Sequence, residues 1–179
     1  MLASSLRAPT DDSLVTLLLS LSADPKATTH AGQTALHFAA SKANLATART
    51  LVAHGASVRA RDRRGQAPLH RAAAVGCAPV VRLCLENRAA VNAADGDGFT
   101  ALHHAVAEGW GDVAVLLLKA GAEADRRDGE GRRAIELAPD DKVSILFFFL
   151  LCFFGREKVG SFLALIYWRL VDALGREGG

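Results

Sequence analysis

The 179-residue chain carries little charge of either sign in excess: 21 Lys and Arg stand against 19 Asp and Glu, a balance of +2. Nothing global pulls it toward nucleic acid or an anionic membrane, so a charged binding surface has to be local. Cysteine is scarce as well. Cys77, Cys84 and Cys152 are odd in number and lack both the paired spacing of a zinc site and the density of a disulfide scaffold, which points to a reducing compartment. No apolar run reaches the roughly 20 residues that span a bilayer. Residues 143–154 are apolar apart from Ser144, but the run then meets Gly155-Arg-Glu-Lys158, and the next stretch, 159–171, contains Arg169. Residues 14–21 have the length of a short signal core, yet Asp11 and Asp12 precede them where a signal carries positive charge. With half its residues hydrophobic and its charges balanced, the chain is long enough for one well-buried domain and is not composed like a disordered one.

What is present is a repeat. Gly32, Gly65, Gly98 and Gly131 are 33 residues apart and open Gly32-Gln-Thr-Ala-Leu-His37, Gly65-Gln-Ala-Pro-Leu-His70, Gly98-Phe-Thr-Ala-Leu-His103 and Gly131-Arg-Arg-Ala-Ile-Glu136. Ala39, Ala72, Ala105 and Ala138 keep the same step, as do Asp62, Asp95 and Asp128. A fixed period of this length signals a stacked array of supersecondary units. Thr34 and Thr100 are placed to N-cap a short helix, Leu and Ala then recur at helical spacing, and a break follows near Gly76 and Gly109. A second helix comes next. In one unit it is Asp112-Val-Ala-Val-Leu-Leu-Leu-Lys119, with charges matched to the helix dipole and Gly121 as its stop; in another Pro79 opens it. The remainder, such as 55–64, is polar, has Gly at its start and reads as an extended finger between units.

These features resemble ankyrin repeats, and the resemblance covers residues 32–141. It implies an all-α ankyrin-repeat solenoid of helix-turn-helix units with extended finger loops. Full repeats are expected at 32–64, 65–97 and 98–130, with a partial one at 131–141. Residues 1–31 read as a partial N-terminal repeat, because 17–19 fall under Thr50-Leu-Val52 when 33 is subtracted. Only residues 1–9 are available for its first helix, so its stacking face should be incompletely covered. Residues 142–179 lose the register and hold six of the chain's eight Phe, an aberrant hydrophobic tail expected to fold back on the last repeat or to aggregate, with a membrane anchor or interfacial helix as the lesser alternative.

The wording of the repeats is also similar to the gankyrin family of proteasome-associated ankyrin proteins: Gly32-Gln-Thr-Ala-Leu-His-Phe-Ala-Ala-Ser-Lys-Ala-Asn44, Arg63-Arg-Gly-Gln-Ala-Pro-Leu-His-Arg-Ala-Ala-Ala-Val-Gly76, Thr100-Ala-Leu-His-His-Ala-Val-Ala-Glu-Gly109 and Leu137-Ala-Pro-Asp140. That resemblance implies an assembly chaperone of the proteasome regulatory particle, which binds the C-terminal domain of one ATPase subunit through its concave face. It also implies a monomer in cytoplasm and nucleus that uses no cofactor and no metal. This sequence departs from the family at both ends, where members carry about two further N-terminal repeats. The other reading is a generic ankyrin adaptor, tethered to a membrane by the tail.

No catalytic set of residues emerges. His37, His70 and His103 sit one repeat apart, too far to share a zinc ion that needs three or four ligands at about 2.0–2.3 Å; the resemblance makes them structural. Asp95-Gly-Asp97-Gly-Phe-Thr100 imitates the opening of a calcium loop but has Phe99 in its fifth place and Val106 in its twelfth. Gly129-Glu-Gly131 is too short to cradle phosphate, and no strand precedes it.

The expected site is therefore a surface for another protein. One finger carries Arg59, Arg61, Arg63 and Arg64 against Asp62, the next carries Asp95 and Asp97 with no base, and the third mixes Arg126 and Arg127 with four acids. Changing sign along the row suits a protein partner of opposite charge order and not a nucleic-acid backbone, which wants one continuous basic track. Gln33, Gln66 and Phe99, together with Phe38, Arg71 and His104 just after the repeated histidines, should project beside the fingers. Phe38 and Phe99 are the expected aromatic anchors.

Overall fold

Each helix of a repeat is too short to persist alone, since isolated helices under about 12–15 residues are marginal in water. The fold has to come from stacking. The computed structural model describes residues 11–139. Among them are helices α1 (Asp11–Ser20), α2 (Ala35–Ser41), α3 (Leu45–Ala53), α4 (Pro68–Ala74), α5 (Ala78–Glu86), α6 (Ala101–Ala107) and α7 (Gly111–Lys119), then one 3-10 turn at Ala134–Leu137. No strand forms among the described residues beyond three isolated antiparallel bridges, Thr28 with Thr34, Ala94 with Thr100 and Arg127 with Arg133, which close the fingers before α2, α6 and the 3-10 turn; the finger before α4 has no such bridge.

The helices make two layers. First helices α2, α4 and α6 stack in order and end on the 3-10 turn, while α1, α3, α5 and α7 form the second layer. Within each hairpin the chain reverses through a left-handed residue, Ala43, Gly76 or Gly109. The core is built from the same columns in successive repeats: Leu36, Leu69 and Leu102 in the first layer, and Leu51, Cys84 and Leu117 in the second, all at most 2% exposed.

The repeated histidines tie one repeat to the next. Thr34, Ala67 and Thr100 each donate a backbone N–H to the Nδ1 of the histidine three residues on, at 3.1, 3.1 and 3.3 Å. The accepting Nδ1 places the ring proton on Nε2, which donates onward to the carbonyl of Gln66 (3.0 Å), Ala93 (2.9 Å) or Arg132 (3.4 Å). Burial holds all three rings below their ordinary pKa, partly opposed by those carbonyl bonds, so they are held neutral.

The two ends differ from the interior. Leu18 occupies the column of Leu51, Cys84 and Leu117, yet it is 47% exposed; Leu14 and Leu17 are exposed on the same helix, and Leu21 in the turn just after it. At the other end residues 134–137 make a single 3-10 turn where a first helix would start. Ala138 has ψ 130° in front of Pro139, and the residue before a proline is sterically driven out of the helical region. The expected first helix at 1–9 and the apolar tail at 142–179 lie outside the described residues.

Candidate docking surface

The fingers are assembled around one aspartate each. Asp62 Oδ1 accepts the backbone N–H of Arg64 and Gln66, both at 2.9 Å. Asp95 Oδ1 does the same for Asp97 (3.1 Å) and Phe99 (2.9 Å), and Asp128 Oδ1 for Glu130 (2.9 Å) and Arg132 (2.8 Å). An acid at this position therefore fixes the turn by bonding the N–H groups two and four residues on. Neighbouring fingers are then joined edge to edge: the Arg63 N–H donates to Ala31 (2.9 Å), Gly96 to Arg64 (2.8 Å) and Gly129 to Asp97 (2.9 Å). Gly98 is needed for this approach. It has φ +84°, and a Cβ there would stand 2.4 Å from the backbone nitrogen of Gly129.

What each aspartate does with its second oxygen separates the fingers. Asp62 Oδ2 accepts Arg71 Nη2 at 2.9 Å. Asp95 Oδ2 accepts the Gln66 amide at 3.1 Å and His104 Nε2 at 3.0 Å. Asp128 Oδ2 accepts Arg132 Nε at 2.9 Å. Burial alone would raise the pKa of Asp62 and Asp95, but the side-chain and backbone donors around each outweigh it and hold both carboxyls below their ordinary value.

The residues singled out by sequence divide accordingly. Phe38 is 49% exposed on α2. Arg61, Arg63 and Arg64 are exposed on the finger before α4, and none has a side-chain hydrogen bond or ion pair among the described residues. Asp97 is exposed in the same condition one finger on. Arg59 is less free, since its Nε donates to the Arg88 carbonyl at 2.8 Å. Arg126 pairs with Glu123 at 3.4 Å, and Arg127 bonds the Gly131 carbonyl.

Three expectations are corrected. Gln66 does not project beside the finger; it is buried, because Asp95 needs its amide to satisfy the second oxygen. Phe99 is not a free aromatic anchor. Its ring stacks on His103 (5.8 Å between centroids), receives the edge of His104 (5.5 Å) and lies 5.9 Å under the Arg132 guanidinium. Arg71 and His104 project only in part, because each turns back to the aspartate nine residues earlier.

Trp110 was not singled out by sequence. It stands at the α6–α7 turn, 41% exposed, with its Nε1 donating to the Ala74 carbonyl at 3.0 Å and its ring against Gly76, where a Cβ would sit 2.4 Å away. The 36-residue offset from Ala74 is not a repeat multiple, so no column pointed to it. Of the thiols, Cys84 is buried and pushed up to about 12 by desolvation, while Cys77 is half-buried. No three His, Cys, Asp or Glu side chains converge to hold a metal among the described residues. Nor is any helix among them long and apolar enough to cross a membrane.

A family model described as ankyrin repeats in three copies matches residues 1–95 and again 61–128. No curated protein matches the chain. The matched span, the 33-residue columns and the stacked hairpins with their linked fingers agree on one conclusion: this chain belongs to the ankyrin repeat family, an all-α protein-binding module.

Proposed function

We propose that the chain docks a protein along its finger row and the adjoining exposed surface of the first helices, and that this protein is an ATPase subunit of the proteasome regulatory particle. The docking reading is carried by one observation, three exposed arginines, unpaired among the described residues, on a finger whose backbone is bonded to its neighbours on both edges. A charged patch on a backbone already fixed loses little freedom when a partner arrives, so more of its attraction is realised as affinity. The finer assignment is supported by the wording of the repeats, which is similar to the proteasome-associated ankyrin family. In that role the chain, as a monomer in cytoplasm and nucleus, holds the C-terminal domain of the ATPase and blocks premature contacts until it is displaced.

The test is to mix the full chain with the isolated C-terminal domains of the regulatory-particle ATPases and measure association by calorimetry. One domain should form a stoichiometric complex, and Arg61→Glu with Arg64→Glu should weaken it by roughly tenfold or more without altering the circular dichroism spectrum. If no domain binds, the proteasome assignment fails and a general adaptor remains.

A further inference from the structure

The finger row has a direction in charge. In the column Arg64, Asp97 and Glu130, equivalent positions one repeat apart, the arginine and Asp97 carry no partner among the described residues, whereas Glu130 is taken up by Arg132 at 2.8 Å. Outside this column, Lys26 on the first finger and Asp125 on the last are also exposed without a partner among the described residues. Within it the unpaired charge among the described residues is thus a cation followed by one anion. The step between them follows from the backbone. Neighbouring fingers are bonded backbone to backbone, and with two chain arms per finger at the roughly 4.8 Å spacing of bonded chains, equivalent tips recur about every 10 Å.

Gly96 and Gly129 stand beside these tips without side chains, which leaves the Arg64 and Asp97 side chains unobstructed by the residue of the next finger bonded to their carbonyls. Asp62 cannot quench the arginines, since its Oδ1 is taken by two N–H groups and its Oδ2 by Arg71.

We infer that the finger row recognises a polypeptide segment with a cluster of carboxylates followed, about 10 Å further on, by a single cationic side chain. The inference rests on the protein-docking reading above and adds the chemistry of the partner. In a polyproline-type segment, which rises about 3.1 Å per residue with three residues per turn, two side chains on one edge at this distance are three residues apart. The acids meet Arg61, Arg63 and Arg64, and the cation meets Asp97. Asp97 is also what disfavours a nucleic acid, because a phosphate chain that satisfies the arginines carries its next charges onto a carboxylate.

Titration of the ¹⁵N-labelled full chain with the peptides Glu-Glu-Glu-Pro-Pro-Lys and Glu-Glu-Glu-Pro-Pro-Glu, followed by amide shifts, tests this. The lysine peptide should bind several-fold more tightly than the all-acid peptide and shift residues 61–66 and 95–98. Asp97→Lys should reverse that preference. Arg61→Glu, Arg63→Glu and Arg64→Glu together should abolish binding of both peptides while the remaining spectrum is unchanged. Equal affinity of the two peptides, shifts outside the two fingers, or a single-stranded oligonucleotide that binds as well as the lysine peptide overturns the inference. A regulatory-particle ATPase domain that still binds both the triple variant and Asp97→Lys also overturns it while leaving docking intact. Loss of every peptide and every protein partner takes the docking reading down as well.

Discussion

The finger before α4 and the finger that ends the described array share one backbone device and put their arginines to opposite use. In both, an aspartate bonds the N–H groups two and four residues on. In the last finger Arg132 reaches its own aspartate and Glu130, and Arg126 and Arg133 find Glu123 and Glu136. In the earlier one the aspartate is filled from the following helix by Arg71, and no acid among the described residues remains for Arg61, Arg63 and Arg64. Two choices make this difference: Gln66 where the last finger has Arg132, and Arg64 where it has Glu130. A repeat scaffold fixes where side chains stand. The placement of neighbouring acids then decides which charges face outward unspent.

The comparison is best broken at the contact between fingers. Gly98→Ala combines a left-handed backbone with a methyl 2.4 Å from the Gly129 nitrogen and should cost about 3–5 kcal/mol in urea denaturation. Gly131→Ala has the backbone term alone, since nothing among the described residues lies within 4 Å, and should cost roughly 1–2 kcal/mol. Equal losses would mean that close approach is not what the interior glycine serves. Asp95→Ala should follow at about 3 kcal/mol, because the carboxylate holds two N–H groups, the Gln66 amide and His104 together.

Acidification sharpens the account of what is buried. The histidines have folded pKa values below their ordinary 6.5, so the unfolded chain binds protons first and stability falls as pH drops below that value. Asp62 and Asp95, lowered from 3.8, add a second loss as pH falls through their depressed folded values. A chemical-denaturation series in pH should show both stages, and stability that rises between pH 6.5 and 5 would contradict the neutral, buried rings. The smallest effect is expected at the fingertip. Arg61→Glu with Arg64→Glu should shift stability by no more than about 0.5 kcal/mol, because neither side chain has a partner to lose among the described residues.

The fold was legible because its signals are columns. The glycine step of 33, the capping threonines, the leucines and the finger aspartates each recur, and hairpins, layers and reversals follow from them. Thr100 caps α6 as expected, its hydroxyl accepting the His103 N–H at 3.4 Å and meeting the ring at 2.8 Å. The surface was less legible, since its outcome depends on pairs between columns. Gln66 looks like an exposed polar residue until Asp95, 29 residues later, requires its amide. Phe99 reads as an exposed aromatic until His103, His104 and Arg132 close around it. Phe38 lacks such neighbours and stays exposed, although it stands in the same column as Arg71 and His104.

The division between open and self-neutralised arginines is measured most directly by hydrogen exchange and line shape at the arginine Nε–Hε groups in ¹⁵N spectra of the full chain. Hε of Arg132, bonded to Asp128, and of Arg133, bonded to Glu136, should exchange slowly and give resolved signals, while those of Arg61, Arg63 and Arg64 should exchange at the rate of free arginine. Protection at Arg61, Arg63 and Arg64 equal to that at Arg132 would contradict the account, because the cationic finger would then already be occupied by the protein itself.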